Sequence, residues 1–541
     1  MSRRLRALLG LTVVALVLAI PLPGAFVDVG GAMEEGFMLV FPERVLAGDV
    51  PNRDFLHLYG PGSLWVLAAA YAAFGADIAV ERVVGALQLI GVVLAVRSWT
   101  RPWGEAVATV AAVIAAVFAI TPIGLVALAW MGALALLLWG VLLVVRAVEG
   151  GRRHLAAVGG VLCGFALLYR PDLALAAGLA ALALVPLLRR DRLWPPAVAG
   201  AVAGGAPMLV HFAVAGVGNA VEGMVLDPVF RLRAGRHLPV PPSADRLDGF
   251  LQRVNELEVI DWPHPFTVPV QLRAWFFVLL AATAVCVAAA VADHRRSGAD
   301  ADAAAEPRRL RLRVAAALAV GILPQAIQRP DSTHLAWVAC FTLAVVPVAV
   351  AELLPRRLDG RLRLGVGVAA VAIALGIAFP AFTLRPYTEL ALQSAGRERN
   401  AVPVRHHGRT FYVGRSDIAA AVEEIATIVE RETEPGDRLF VGPADLTRTA
   451  FVDSWLYHLF PDLVPATYFI EMDPGIANAP GSRLASDLAS ADVVLLTDTW
   501  DRWEEPNTST ERGDAAAMQV LAERFCPVAE QAGVSLLRRC R

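Results

Sequence analysis

Two adjacent carboxylates, Glu34 and Glu35, stand just past one of the most apolar runs of the chain. Ionisable groups near a membrane are costly unless they are wet or used. Successive helical residues point about 100° apart, so one acid can face a cavity while the other caps or orients it. A carboxylate so placed can take a proton from a hydroxyl. Asp54 and His57, further along, are expected to shape the same pocket. Two corners repeat an Arg-Pro-Asp pattern. "LLYRPDLALA" holds Arg170 and Asp172; "QAIQRPDSTHLAW" holds Arg329 and Asp331, then His334. Arginine offers the planar, bidentate donors that suit a phosphate. Plainer readings stand beside these. Acids in an interfacial loop are cheap, Asp172 can pair with a snorkelling Arg170, and Asp331 or Ser332 can cap a helix. Capping explains Asp331 but neither Arg329 nor His334. "DPVFRLRAGRHLPVPP" gathers Arg231, Arg233, Arg236 and His237, and reads most simply as a solvated charge run. Together the segments suit a reaction in which a phosphate leaves and a base activates a hydroxyl. Arginines can balance that phosphate, so no metal and no cofactor are assigned.

These residues need a scaffold, and the composition specifies its class. Only 18% of the 541 residues are charged, below the roughly 25% of soluble domains. A mean hydropathy of +0.56 over such a length requires several membrane spans. A formal net charge of −2 gives nucleic acid no basic surface. Apolar runs place eleven spans near 7–26, 80–97, 105–122, 124–146, 154–170, 172–188, 195–216, 271–293, 313–328, 334–353 and 364–384. The short apolar stretch 62–76 reads as a helix in the outer interface. Every basic residue other than histidine is Arg, and arginines gather in cytoplasmic connections. Arg3, Arg4 and Arg6 put the N-terminus inside; Arg97, Arg101, Arg146, Arg152, Arg153, Arg189, Arg190 and Arg192 follow the same side. So do the clusters at 295–311 and 356–363. The segments 27–79, 169–172, 217–270 and 328–334, and everything after 385, are then outside. "SGADADAAAEP" (297–307) reads as a cytoplasmic loop without fixed structure.

The fold class expected is therefore an α-helical polytopic membrane protein with an extracytoplasmic α/β domain. Residues 1–384 form the membrane part and 385–541 the domain. That tail carries 16 arginines against 24 acids, which argues against docking on anionic headgroups. Its apolar runs are strand-sized: "RLFVG" (438–442), "ATYFI" (466–470), "DVVLLTD" (492–498) and "GVSLLRR" (533–539). Helices are expected near 416–432, 482–490 and 513–525, and the alternation implies an α/β fold. No glycine-rich phosphate fingerprint follows a strand. The cysteines lack metal-ligand spacing; Cys526 and Cys540 can pair if the tail is extracytoplasmic.

The first loop resembles a family. "MEEG" after the first span, "RVLAGDVPNRDF", a "YGPG" turn into an interfacial helix ending in "FG", and then "ERVVGALQLIGVVLAV" are similar to the GT-C membrane glycosyltransferases. That family uses polyprenyl-phosphate sugars and includes protein O-mannosyltransferases and lipid A aminoarabinose transferases. The Arg-Pro-Asp corners resemble its donor-phosphate positions, and "PGDRLFVGPADL" and "YFIEMDPG" resemble its appended extracytoplasmic domains. The resemblance implies that Glu34, where the family usually has Asp, is the general base. It further implies a polyprenyl-phosphate sugar as donor, a glycan or protein of the cell envelope as acceptor, and a bacterial inner membrane as location. One base and one leaving phosphate suit direct displacement with inversion. A transporter or flippase, and a non-catalytic envelope scaffold, are the other classes open to such a chain. A transporter would favour mid-membrane charges and internal repeats, and the sequence has no evident repeat.

Overall fold

The computed structural model describes residues 2–121, 124–249, 262–296, 306–355, 357–397 and 401–540. Most of the 297–307 stretch lies outside these residues. Among them, nine helices are long and apolar enough to cross a membrane. They begin with Arg4–Ala25 and end with Gly360–Ala378. Two shorter apolar helices, Glu105–Ile120 and Arg153–Tyr169, occupy two further expected positions. All eleven expected spans thus carry a helix, and Gly62–Phe74 forms the helix expected at the interface. Leu8, Leu87, Val202 and Leu209 are each more than 60% exposed on these helices. Such outward apolar side chains suit contact with lipid, and the chain is a multi-pass membrane protein.

Small residues set how closely the spans approach. Gly160 and Gly164 of Arg153–Tyr169 interleave with Gly200 and Gly204 of Trp194–Gly205. A Cβ on any of the four would lie about 2.1 Å from a backbone oxygen of the facing helix. Close packing of small residues four apart is the usual association mode inside lipid. Asp77 and Asp331 cap the helices Ile78–Thr100 and Ser332–Leu353, accepting from the amides of Ala79 (2.7 Å) and His334 (2.9 Å).

The Arg-rich connections meet at one end of the bundle. Arg97 pairs with Glu105, Arg311 with Glu149 and Arg309 with Asp293. Arg311 also donates to the Ser98 carbonyl and Arg308 to that of Pro102. The first loop, the 170 corner, the 329 corner and the tail meet at another.

The tail begins with a hairpin, β1 (Val402–His406) and β2 (Arg409–Val413), followed by the helix Ser416–Glu432. A five-stranded sheet then has the order β4-β3-β5-β7-β6. Its strands are β3 (Arg438–Pro443), β4 (Val464–Pro465), β5 (Val493–Thr497), β6 (Phe525–Gln531) and β7 (Val534–Arg539). β3 runs parallel to β4 and β5, while β7 is antiparallel to β5 and β6. A disulfide between Cys526 and Cys540 joins the β6–β7 pair. Residues 466–470, expected as a strand, leave the sheet after the two-residue β4. Their backbone turns to the first loop instead: the Leu56 amide donates to the Tyr468 carbonyl at 2.8 Å. The hairpin and β6 are the strands the apolar-run reading missed. β6 starts with buried Phe525, but Cys526, Pro527 and Val528 are exposed, so it carries no buried run.

Candidate active site

The helix Glu34–Leu46 starts at the membrane end of the tail, and its first turn carries both acids of "MEEG". Gly36 lets the tail come close. A Cβ there would lie 2.4 Å from the Trp455 backbone nitrogen, and the Trp455 amide donates to the Ala32 carbonyl at 3.3 Å. A cavity of about 320 Å³ opens here between the membrane part and the tail. Asp28, Glu34 and Arg82 line it from below, and Tyr412, Asp453 and Trp500 from the tail. The tail therefore roofs the cavity.

The two acids are used differently. Glu35 is fully buried, and Arg82 takes both its oxygens, Nε to Oε1 at 2.7 Å and Nη2 to Oε2 at 2.8 Å. Arg82 also donates to the carbonyls of Ala25 and Asp28. Glu35 thus fastens the first loop to the span Ile78–Trp103, and it lines the cavity beside Glu34. Glu34 Oε2 is buried and has no hydrogen-bond partner among the described residues. Burial pushes its carboxyl above the ordinary range, opposed by its own amide and by the charges of Arg236 and Arg329. Nearby Asp28 is pushed up to about 6 by burial, against a Val29 backbone hydrogen bond and Arg82. A carboxylate with a raised pKa and a free oxygen is equipped to accept a proton near neutrality.

Around Glu34 the charges form a tight mosaic. Arg329 donates to Glu505 through Nη2 (2.6 Å) and Nη1 (3.1 Å), and to Asp331 through Nε (3.0 Å). Arg329 also donates to the Arg236 carbonyl, and Arg236 Nε reaches Asp473 at 2.8 Å. Asp331 accepts the His334 amide and contacts His334 Nδ1 at 2.8 Å. Against the cost of burial, His334 and Arg329 hold Asp331 below the ordinary carboxylate range, and Arg329 does the same for Glu505. Glu471 is the opposite case. Burial and the Asp473 charge push it well above that range, and its Oε2 has no partner among the described residues.

The second Arg-Pro-Asp corner joins through aromatic rings. Arg170 lies 4.2 Å above the Tyr59 ring and 5.1 Å from that of Trp130. Trp130 stacks on Trp337 at 5.6 Å, and Trp337 meets His334 at 4.8 Å. Arg170 binds Asp172 through Nε (2.9 Å) and Nη2 (2.7 Å). The "YGPG" turn is docked on this corner, with the Gly60 amide donating to the Tyr169 carbonyl at 3.1 Å. Beyond the corner lies an apolar groove of about 1000 Å³. The helices Arg153–Tyr169, Ala174–Arg190 and Trp194–Gly205 form it, and Leu168 and Pro171 stand at the Arg170 end.

The fold thus brings Arg329 and Asp331 to Glu34, and links the Arg170–Asp172 corner to His334 through Trp130 and Trp337. Asp54 and His57 do not line the cavity beside Glu34; His57 packs instead against Tyr59, the ring under Arg170. Arg53 and the Val50 amide hold Asp54. His57 is buried, its Nε2 is 3.3 Å from the Gly60 carbonyl, and burial pushes its imidazole down to about 3. It packs between Phe41 and Tyr59 as a neutral ring. Arg82, Glu471, Asp473 and Glu505 escaped the sequence reading as site residues. Glu81-Arg82 at the start of a span was the one clear signal, because charges inside a span seldom lack a purpose.

No protein-family model and no curated protein matches this sequence. Solved structures do. The chain is similar to ArnT from Cupriavidus metallidurans bound to undecaprenyl phosphate, at 12% identity over 97% of both chains, with a TM-score of 0.51. The same protein in the apo state aligns at 14% identity over 97% of both chains, with a TM-score of 0.48. An Archaeoglobus fulgidus oligosaccharyltransferase complexed with Zn and sulfate aligns at 13% identity, with a TM-score of 0.43, over 95% of this chain and 71% of that one. At such identities the likeness is one of architecture: from first span to appended domain, this chain has the fold of ArnT, the GT-C fold that its first loop resembles.

Proposed function

We propose that this protein is a membrane glycosyltransferase that moves a sugar from a polyprenyl-phosphate donor to a hydroxyl of a cell-envelope acceptor. The observation that carries the reading is Glu34. It is half-buried, with an Oε2 that is buried and has no partner among the described residues, on the wall of a cavity shared by membrane part and tail. The fold adds support, since its full-length structural neighbour was solved with undecaprenyl phosphate. In this reading Glu34 takes the acceptor's proton. The acceptor oxygen attacks the anomeric carbon from the face opposite the phosphate, and the phosphate leaves with its electron pair, so configuration inverts. The prenyl chain lies in the apolar groove with its phosphate at Arg170. Site and tail face the extracytoplasmic side, and the N-terminus is cytoplasmic. Nothing in this scheme calls on a metal or a cofactor.

The test is transfer from a polyprenyl-phosphate sugar by purified protein. Glu34→Gln should lower turnover about 10²–10⁴-fold, the usual contribution of a general base, with donor binding nearly intact. Glu35→Gln should act differently, by loosening Arg82 and reducing the yield of folded protein. Wild-type turnover in Glu34→Gln, or no transfer by wild type from any such donor, would overturn the proposal.

A further inference from the structure

We propose that His406, His407 and Glu430 form a binding site for a divalent transition metal, zinc by its ligand set, that pins the β1–β2 hairpin to the helix Ser416–Glu432. Neighbouring residues on a strand normally point to opposite faces. Here His406 ends β1, and His407 takes a left-handed backbone conformation, φ +48°, in the turn before Gly408. That turn brings the two rings to 4.4 Å between centroids. Glu430 comes from the last turn of the helix. Its Oε1 lies 2.8 Å from His407 Nε2 and 3.6 Å from His406 Nε2. The three ligand atoms all lie within 4.8 Å of one another. Around a tetrahedral zinc with bonds near 2.0–2.1 Å, ligand atoms sit about 3.4 Å apart, so side-chain adjustments of about 1 Å complete the set.

A simple His407–Glu430 ion pair leaves one fact unexplained. The His406 side chain is only 10% exposed, and its Nε2 is buried without a hydrogen-bond partner among the described residues. Buried polar nitrogens are rarely left so. A metal would use that lone pair. Two imidazoles and a carboxylate make a zinc-type set with a fourth position for water. The consequence reaches the cavity. β2 runs from the turn to Phe411 and Tyr412, which line the cavity. Arg409 grips Glu43 on the helix that begins with Glu34, with Nη2 to Oε1 at 2.6 Å. The metal would hold that wall in place. The site stands apart from the transfer reaction and does not depend on it.

The experiment uses the full chain in detergent without a histidine tag. Protein is stripped with a chelator, dialysed against micromolar zinc, then against metal-free buffer, and its zinc is measured by mass spectrometry. One equivalent should remain in wild type and be lost in His407→Gly and in Glu430→Gln. Glycine relieves the left-handed conformation, so loss of metal in His407→Gly reports the missing ligand rather than misfolding. Added zinc should raise the apparent Tm of wild type only, and cobalt in place of zinc should give the absorption bands of a four-coordinate ion. Absence of retained zinc in wild type, or retention unchanged in both variants, would overturn the proposal.

Discussion

Replacing Arg329 with Met separates two roles for this side chain. The sequence reading gave it the donor phosphate; the structure has it fastening the tail to the membrane part. Glu505 is 2% exposed at the side chain and Arg329 12%. Two bonds, at 2.6 and 3.1 Å, link them. Without Arg329, Glu505 keeps Asn507 Nδ2 at 2.8 Å as its remaining hydrogen bond. Breaking one side of a buried ion pair costs about 3–5 kcal/mol. A unit the size of the tail loses roughly 2–4 °C per kcal/mol, so the apparent Tm of Arg329→Met should fall by roughly 6–20 °C. In Arg329→Met/Glu505→Leu the Glu505 charge is gone and Asp331 keeps its contacts with His334, so part of that loss should return. Scanning fluorimetry of purified protein reads both variants. Donor binding, measured on the double variant, then tells the roles apart. A fastening residue leaves affinity near wild type, whereas a phosphate ligand leaves it weakened although stability has partly recovered. An apparent Tm for Arg329→Met within about 1 °C of wild type would refute the reasoning.

Three more outcomes are expected. Arg170→Ala should weaken donor binding about 10- to 150-fold, the loss of a charge-assisted hydrogen bond worth about 1.5–3 kcal/mol; lysine, which lacks the bidentate fork, should restore only part, and unchanged affinity in titration with a polyprenyl phosphate would count against it. The base must be ionised, and burial raises the Glu34 pKa, so turnover should fall as pH drops through a value above the ordinary carboxylate range; a pH–rate profile with its acid limb at or below that range would contradict this. Cysteines introduced at Ser416 and Arg357, both exposed, should be labelled by an impermeant reagent from opposite sides of the membrane, Ser416 from outside; labelling of Ser416 only from the cytoplasm would reverse the orientation and remove the site built on it.

What the sequence revealed follows from what each signal measures. Spans are one-dimensional, because a bilayer needs about 20 apolar residues in a row; a helix stands at each of the eleven expected positions, nine of them long enough to cross a membrane. Strands 438–443, 493–497 and 534–539 announced themselves the same way. Pairings between distant segments have no such trace. Glu35 and Arg82 are 47 positions apart, and Arg329 and Glu505 are 176. Nothing local distinguishes Glu34, whose Oε2 has no partner among the described residues, from Glu35, which holds Arg82 with both oxygens. Asp54 and His57 were grouped with Glu34 by nearness in the chain. After the helix Glu34–Leu46 the chain folds back, so His57 meets Phe41 in mid-helix and Tyr59 at the 170 corner rather than Glu34. "RHHGR" sets two histidines side by side, but Glu430 completes the cluster only after the helix Ser416–Glu432 has folded back.

The charges also decide where a phosphate can enter. Every arginine of the mosaic already has a carboxylate, and a phosphate must compete with it. For Arg236 the competitor is Asp473, 1% exposed; for Arg329 it is Asp331 at 1% and Glu505 at 2%. Displacing any of these strands a buried charge, at about 3–5 kcal/mol. Asp172, the partner of Arg170, is 47% exposed. It is not enclosed by protein, so in the proposed reading it is the partner that a phosphate displaces at least cost. Arg170 also stands where the apolar groove ends, beside Leu168 and Pro171, so a phosphate there would have its prenyl chain in an apolar channel. Tyr59 and Trp130, against the guanidinium, hold the cation in place whichever anion it carries. The two Arg-Pro-Asp corners look alike in sequence, but burial of their partners separates them. In the proposed reading the 170 corner receives the phosphate, while the 329 corner, bonded to Glu505, holds the tail over Glu34.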